Sequence, residues 1–211
     1  MPLPLIDPIR PVRSREVPRG KEWLYEVKLD GFRGILYLEG GRGRFSSKTS
    51  RPLKRFEDLA NALARTLPVT DAIFDGEVIV MGGEGPLFND LLFGRGRPEY
   101  AAFDLLWLNG RDLRGQPFWR RKRALEKLVR GTGVGFVEPV GDPRLFDVAV
   151  AKDLEGIVAK RRSDPYSLAT EWVKVKHATY SQVAGRWELF QGRRGPGTRD
   201  SRPRGPARRR A

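Results

Sequence analysis

The chain of 211 residues contains no cysteine and a single histidine, His177. Without cysteine there are no disulfide staples, no thiolate catalysis and no zinc fingers, and the expected location is cytoplasmic. A lone histidine directly after a strand-like run reads as a surface residue rather than a ligand or base. No apolar run approaches the roughly 20 residues that span a bilayer, and no lysine-rich amphipathic helix with bulky apolar residues is apparent, so a membrane partner is not expected. The opening Met1-Pro2-Leu3-Pro4-Leu5-Ile6-Asp7-Pro8 lacks the basic and apolar regions of a signal peptide. No internal repeat is visible.

What the chain has in excess is positive charge. A formal net charge of +14 and a pI near 10.6 imply an anionic partner, and nucleic acid is the candidate because each phosphate neutralised releases counterions. The length suits one core. Residues 1–20 are proline-rich without apolar periodicity and are expected to be an extended arm rather than a packed element. Strands are expected at Trp23–Leu29, Gly34–Leu38 and Gly43–Ser47, with Gly40-Gly41 as a hairpin turn. Phe56, Leu59, Ala60, Leu63 and Leu67 fall at helical spacing before Pro68. Tyr100–Leu108 reads as a buried strand closed by Asn109-Gly110, Arg120–Val129 as a helix ended by Gly131, and Phe146–Lys152 as a short helix. Gly156–Lys160 and Trp172–Lys176 are the last strands expected. From Gly192 onward no apolar residue exceeds alanine, so 191–211 reads as a disordered arginine-rich tail.

The chemistry concentrates at Glu26-Val27-Lys28-Leu29-Asp30-Gly31-Phe32-Arg33. In an extended segment Glu26, Lys28 and Asp30 share one side while Val27 and Leu29 anchor the other. A lysine is nucleophilic only when neutral, and lysines in crowded cationic clefts are recurrent covalent catalysts. Further blocks follow: Asp75-Gly76-Glu77, Phe103-Asp104-Leu105-Leu106, Glu155-Gly156-Ile157-Val158-Ala159-Lys160, and Trp172-Val173-Lys174-Val175-Lys176. In the last, both lysines emerge on one face about 7 Å apart, a spacing suited to a phosphate. Taken alone, Phe103 in its apolar run reads as core, and Glu77 as a surface carboxylate after a turn.

Lys28-Leu29-Asp30-Gly31-Phe32-Arg33 resembles the KxDGxR motif of covalent nucleotidyltransferases, and the later blocks keep that superfamily's order. Their wording is similar to that of bacterial LigD-type ATP-dependent DNA ligases, from about Lys21 to Phe190. The resemblance implies an α+β fold, an ATP-grasp-like nucleotidyltransferase domain of twisted antiparallel sheets flanked by helices, here 21–178. It implies Lys28 as the nucleophile that takes AMP from ATP, Glu26 reading the adenine amino group, and Arg33 on the sugar-phosphate side. It further implies Lys48 where relatives carry a ribose-contacting arginine, Glu77 on the ribose, Phe103 stacked on adenine, and Lys174 and Lys176 on the α-phosphate. Mg²⁺ or Mn²⁺ would be held by Glu155 and Asp30. Lys160 is a weaker candidate for phosphate or DNA contact.

The implied substrate is nicked double-stranded DNA in repair. RNA ligation, or DNA-end binding without sealing, are the alternatives. Lys48 loses the planar fork of arginine. The segment 179–190 resembles only the entry to an OB-fold, so other DNA-repair proteins are expected as partners supplying the missing OB-fold or DNA-binding domain. The tail, with eight arginines between Arg193 and Arg210, is expected to add diffuse attraction for DNA. If it neutralises four phosphates, the log–log salt slope of about −0.9 per phosphate weakens binding several hundred-fold over a roughly sixfold rise in salt. Deleting everything after Gln191 then flattens that slope for all DNA sequences alike; identical slopes for both proteins mean an inert tail.

Overall fold

The computed structural model describes residues 2–83 and 85–183. The arginine-rich tail and most of the OB-like segment therefore lie outside the described residues. Ten strands run in chain order: β1 (Val12–Ser14), β2 (Trp23–Val27), β3 (Phe32–Glu39), β4 (Arg42–Ser46), β5 (Asp71–Ile79), β6 (Glu99–Leu108), β7 (Arg111–Asp112), β8 (Gly135–Phe136), β9 (Gly156–Arg161) and β10 (Val173–Lys176). Among the described residues four α-helices accompany them: α1 (Glu57–Thr66), α2 (Phe88–Phe93), α3 (Phe118–Val129) and α4 (Leu145–Ala151). Most expected elements appear within a few residues of their expected ends. The Gly40-Gly41 hairpin has φ of +57° and +74°, the left-handed pair that a two-residue turn between right-twisted strands demands.

The larger sheet has the order β4-β3-β5-β6-β7, with β8 added parallel to β6. Alternation sorts its side chains. Leu36, Leu38, Phe74 and Leu105 pack with Ala60 and Leu63 of α1 and Leu125 and Val129 of α3, while Ile35, Tyr37, Ile73 and Leu106 face the other way. The smaller sheet has the order β1-β10-β9-β2. Trp23, Tyr25, Ile157, Ala159, Val173 and Val175 bury one of its faces against Ala149 of α4. The remaining face carries Glu26, Val158 and Lys174 in one row across three strands.

The N-terminal arm departs from expectation. Its backbone is extended, yet Leu3, Ile6 and Ile9 are buried with Ile35, Tyr37, Tyr166 and Trp172, and β1 pairs in parallel with β10. Polar anchors reinforce the packing: the Ile6 amide donates to the Tyr37 hydroxyl at 2.9 Å and the Ile9 amide to the Tyr166 hydroxyl at 3.4 Å. Prolines exclude helix here but not burial, and three large apolar residues every third position cover the sheet face that no helix covers. Replacing Ile9 by alanine should therefore lower stability by about 2–5 kcal/mol, as for a central core cavity. Urea unfolding checks this; a loss within about 0.5 kcal/mol, typical of a surface site, would mean that the arm is not anchored.

Candidate active site

Lys28 follows the last residue of β2, and its amide donates to the Gly156 carbonyl at 2.9 Å. Gly156 adopts φ +135°, and a Cβ there would meet the Val175 carbonyl oxygen at 2.1 Å. Only glycine lets the three strands close up, which brings the residue before it, Glu155, beneath Lys28. Glu155 is 5% exposed and bridges two cations, with Oε2 at 2.5 Å from Lys28 Nζ and Oε1 at 2.7 Å from Lys176 Nζ. Burial pushes its carboxyl up, but the two ammonium groups outweigh this and hold it below the usual range. Lys174 lies in the same charge cluster: burial first, then Lys28, Lys176 and the exposed Lys48 beyond β4, draws its ammonium down.

The larger sheet supplies the opposite wall. Arg33 and Glu77 are register partners on β3 and β5. Arg33 grips the fully buried Asp75 through Nε and Nη2, each at 2.5 Å, and Asp75 also accepts from the Tyr166 hydroxyl at 2.7 Å. Burial works against the Arg33 charge, and Asp75 more than offsets it, so Arg33 stays protonated. Half-buried Glu77 is different. Burial raises its carboxyl to about 7 despite Lys28 and Arg33, with Glu155 and Asp75 adding to the rise. At neutral pH its carboxyl thus lies near its midpoint.

Phe103 is the odd residue of a register shift between β5 and β6: Asp75 pairs Asp104 and Gly76 pairs Ala102, leaving Phe103 without a partner on β5. Bulges of this kind re-aim side chains beside active sites. Phe103 is half-buried, edge-on to Trp172 with ring centres 6.2 Å apart, and the Arg33 guanidinium lies 4.7 Å from its centre. It thus packs as core on one side and remains partly open on the other.

Three expectations shift. Glu26 is buried at 2% exposure, and its carboxylate oxygens face Lys122 and Lys160 at 2.5 Å each, so it does not share an open face with Lys28. Lys160 is 1% exposed and cannot touch DNA, because β9 turns it inward under Phe103. Asp30 is buried and accepts from the Tyr180 hydroxyl at 3.1 Å. Sequence reasoning missed Lys122 and Tyr166, and it quoted Asp75 and Trp172 within their blocks without giving either a role. His177 follows Lys176, its amide donates to the Glu155 carbonyl at 3.0 Å, and its ring Nδ1 lies 3.6 Å from Asp153.

The Glu77 shift has a stability consequence with a definite sign. Between the ordinary value of 4.5 and about 7, the folded chain keeps a proton that the unfolded chain sheds, so stability falls as pH rises and the full penalty stands above 7. Glu77→Gln removes it. The ligand-free variant should be more stable than the parent at pH 8.5 by up to about 3 kcal/mol, with most of that gain gone at pH 5. Thermal melts of both proteins at the two pH values check this; a gain independent of pH would locate the effect outside Glu77 ionisation.

Comparison with known proteins identifies the family. The family model for the ATP dependent DNA ligase domain matches residues 13–176. The multifunctional non-homologous end joining DNA repair protein LigD of Mycobacterium tuberculosis is 33% identical over 189 residues, covering 85% of this chain and 25% of that protein. DNA ligase C of the same organism is 31% identical over 185 residues, covering 76% of this chain and 51% of that one. The chain thus spans a quarter to a half of the length of these curated relatives. Among solved structures, the ligase domain of M. tuberculosis LigD superposes with a TM-score of 0.72 at 31% identity, covering 81% of this chain and 59% of that one. A mycobacterial DNA ligase D complexed with ATP and MES gives 0.69 at 30% identity, covering 81% and 60%. With its α+β fold matched and the family model covering most of its length, the chain belongs to the ATP-dependent DNA ligase family and carries that family's adenylation domain.

Proposed function

We propose that this chain carries out the adenylyl-transfer chemistry of an ATP-dependent DNA ligase, with Lys28 as the covalent nucleophile. The observation that carries the reading is the Lys28–Glu155–Lys176 bridge: an amine in contact with a carboxylate, among further cations suited to an α-phosphate. Lys28 Nζ must first lose a proton, and the carboxylate in contact with it is Glu155. Nζ then attacks the α-phosphorus of ATP. A P–N bond forms, the bond to the bridging oxygen breaks, and pyrophosphate leaves. Lys174 and Lys176 take up charge on the phosphoryl oxygens.

Around the rest of the nucleotide, Glu77 meets the ribose, Arg33 and Lys48 the sugar-phosphate side, Phe103 the adenine face and Glu26 its amino edge. AMP then passes to a 5′-phosphate at a nick, and the 3′-hydroxyl displaces it. Nicked double-stranded DNA is the substrate this basic chain suits, and DNA repair in the cytoplasm is the corresponding setting. Among the described residues no cluster of three histidine, cysteine, aspartate or glutamate side chains is arranged to hold a metal ion. The donors are nonetheless hard oxygens, and Mg²⁺ commonly binds through one or two carboxylates plus substrate phosphates. Glu155 and Asp30 would hold Mg²⁺ or Mn²⁺, and the ion would supply charge neutralisation for the departing pyrophosphate.

Incubation with α-labelled ATP and Mg²⁺, followed by a denaturing gel, tests the proposal. The parent protein should show an acid-labile labelled band, Lys28→Ala none, and Glu155→Gln at least 100-fold less, all three with the same circular dichroism. Labelling of Lys28→Ala at the parent's level would remove the assignment. Sealing of a labelled nicked duplex tests the later steps.

A further inference from the structure

Two buried lysines tie together the two residues assigned to the purine. On the Glu26 side, Oε1 lies 2.5 Å from Lys122 Nζ and Oε2 2.5 Å from Lys160 Nζ. On the Phe103 side, Lys122 donates to the Phe103 carbonyl at 3.1 Å, and the Lys160 ammonium lies 4.5 Å from the Phe103 ring centre and 4.0 Å from that of Trp172. Lys122 and Lys160 are 3% and 1% exposed, so neither serves solubility or DNA contact. Each comes from a different element, α3 and β9, and α3 is pinned by the neighbouring Arg121, whose Nε and Nη2 each reach the fully buried Asp104 at 2.8 Å.

Such a cluster is expensive to fold. Two cations around one anion, all taken out of water, are commonly less stabilising than apolar residues of the same shape, and burial brings the Lys122 ammonium down to about 8. Packing alone therefore gives no reason for it. Its chemical effect is specific. An ionised carboxylate only accepts, through about four lone-pair positions, and one lysine against each oxygen fixes its orientation. A 6-amino group donates to such an acceptor. A 6-oxo group turns a lone pair against it, and a site built around one hydrogen-bonding pattern rejects the analogue that lacks it far more strongly than an apolar pocket can.

We propose that Lys122 and Lys160 form a clamp that holds Glu26 as an acceptor of fixed orientation against Phe103, and that this clamp sets the selectivity of the site for 6-aminopurine over 6-oxopurine nucleotides. The proposal rests on the reading of the site as adenylate-forming, with Glu26 at the purine edge. Lys122 and Lys160 are positioning residues: they act through Glu26 and Phe103. Removing Lys122 leaves one carboxylate oxygen without its cation and frees the carboxylate to turn, so the acceptor no longer points at one place on the purine edge.

The test compares ATP with inosine triphosphate, which differs in carrying oxygen for the 6-amino group, by titration calorimetry on the whole chain. The parent should prefer ATP at least 100-fold. Lys122→Met should cut that ratio at least tenfold, and Lys122→Arg should keep most of it. A merely structural lysine would weaken both nucleotides equally, so an unchanged ratio in folded Lys122→Met overturns the clamp. If that variant fails to fold, Glu26→Gln carries the test, because its amide both donates and accepts; an unchanged ratio there is equally fatal. Label transfer to Lys28 is read on the same samples. Selective binding without transfer would overturn the proposed function and leave the clamp standing, whereas binding of neither nucleotide would sink both.

Discussion

Glu155 is the point on which the site turns. It is one buried carboxylate reaching two lysines from separate strands, and its position is set by a glycine that no other residue could replace without striking the Val175 carbonyl. Loss of that carboxylate would leave Lys28, Lys174 and Lys176 as mutually repelling cations on one face of a sheet. The cluster makes electrostatic sense only with an anion in its midst, either Glu155 or the phosphates of a nucleotide. On the function proposed above, binding of a triphosphate is an exchange of partners: the lysines trade a protein carboxylate for phosphoryl oxygens. Such an exchange avoids the cost of leaving a half-buried charge bare at any stage.

The same logic repeats one layer deeper. Asp75 holds Arg33, Asp104 holds Arg121, and Glu26 sits between Lys122 and Lys160. Each pairing joins segments distant in sequence, so the charged interior acts as a set of registration pins among apolar layers that would tolerate some sliding. Ion pairs of this kind contribute geometry more than net stability.

How much was legible in the sequence follows from the physics of each residue. Period-2 alternation exposed Lys174 and Lys176 as a pair on one strand, and the hairpin glycines marked their own turn, because both signals are local. The arm was misjudged because prolines report on backbone conformation and say nothing of burial; Leu3, Ile6 and Ile9 find their partners through a sheet built much later in the chain. Lys122 was invisible for a related reason. In the helical pattern it is one more cation among Arg120, Arg121 and Arg123, and only the tertiary fold distinguishes the two that turn inward. Glu77 lies on β5, and its raised proton affinity depends first on burial and then on Glu155 beside the nearby Asp75, so the burial and the Glu155 part are tertiary and leave no local trace.

The two sheets also differ in the part of the chain that builds them. The larger is contiguous, formed from residues between Phe32 and Phe136 and largely from antiparallel neighbours. The smaller is assembled from the two ends: β1 and β2 precede it all, and β9 and β10 follow Glu155, with Val12 facing Val173 across the parallel pairing. Contacts so distant in sequence form late, because loop closure must precede their reward. On the ribosome, where the N-terminal part emerges first, Lys28 waits without Glu155 or the paired lysines until nearly the whole domain has been synthesised. An incomplete chain thus carries the proposed nucleophile without Glu155, Lys174 and Lys176, and bringing the three to Lys28 coincides with completing the fold.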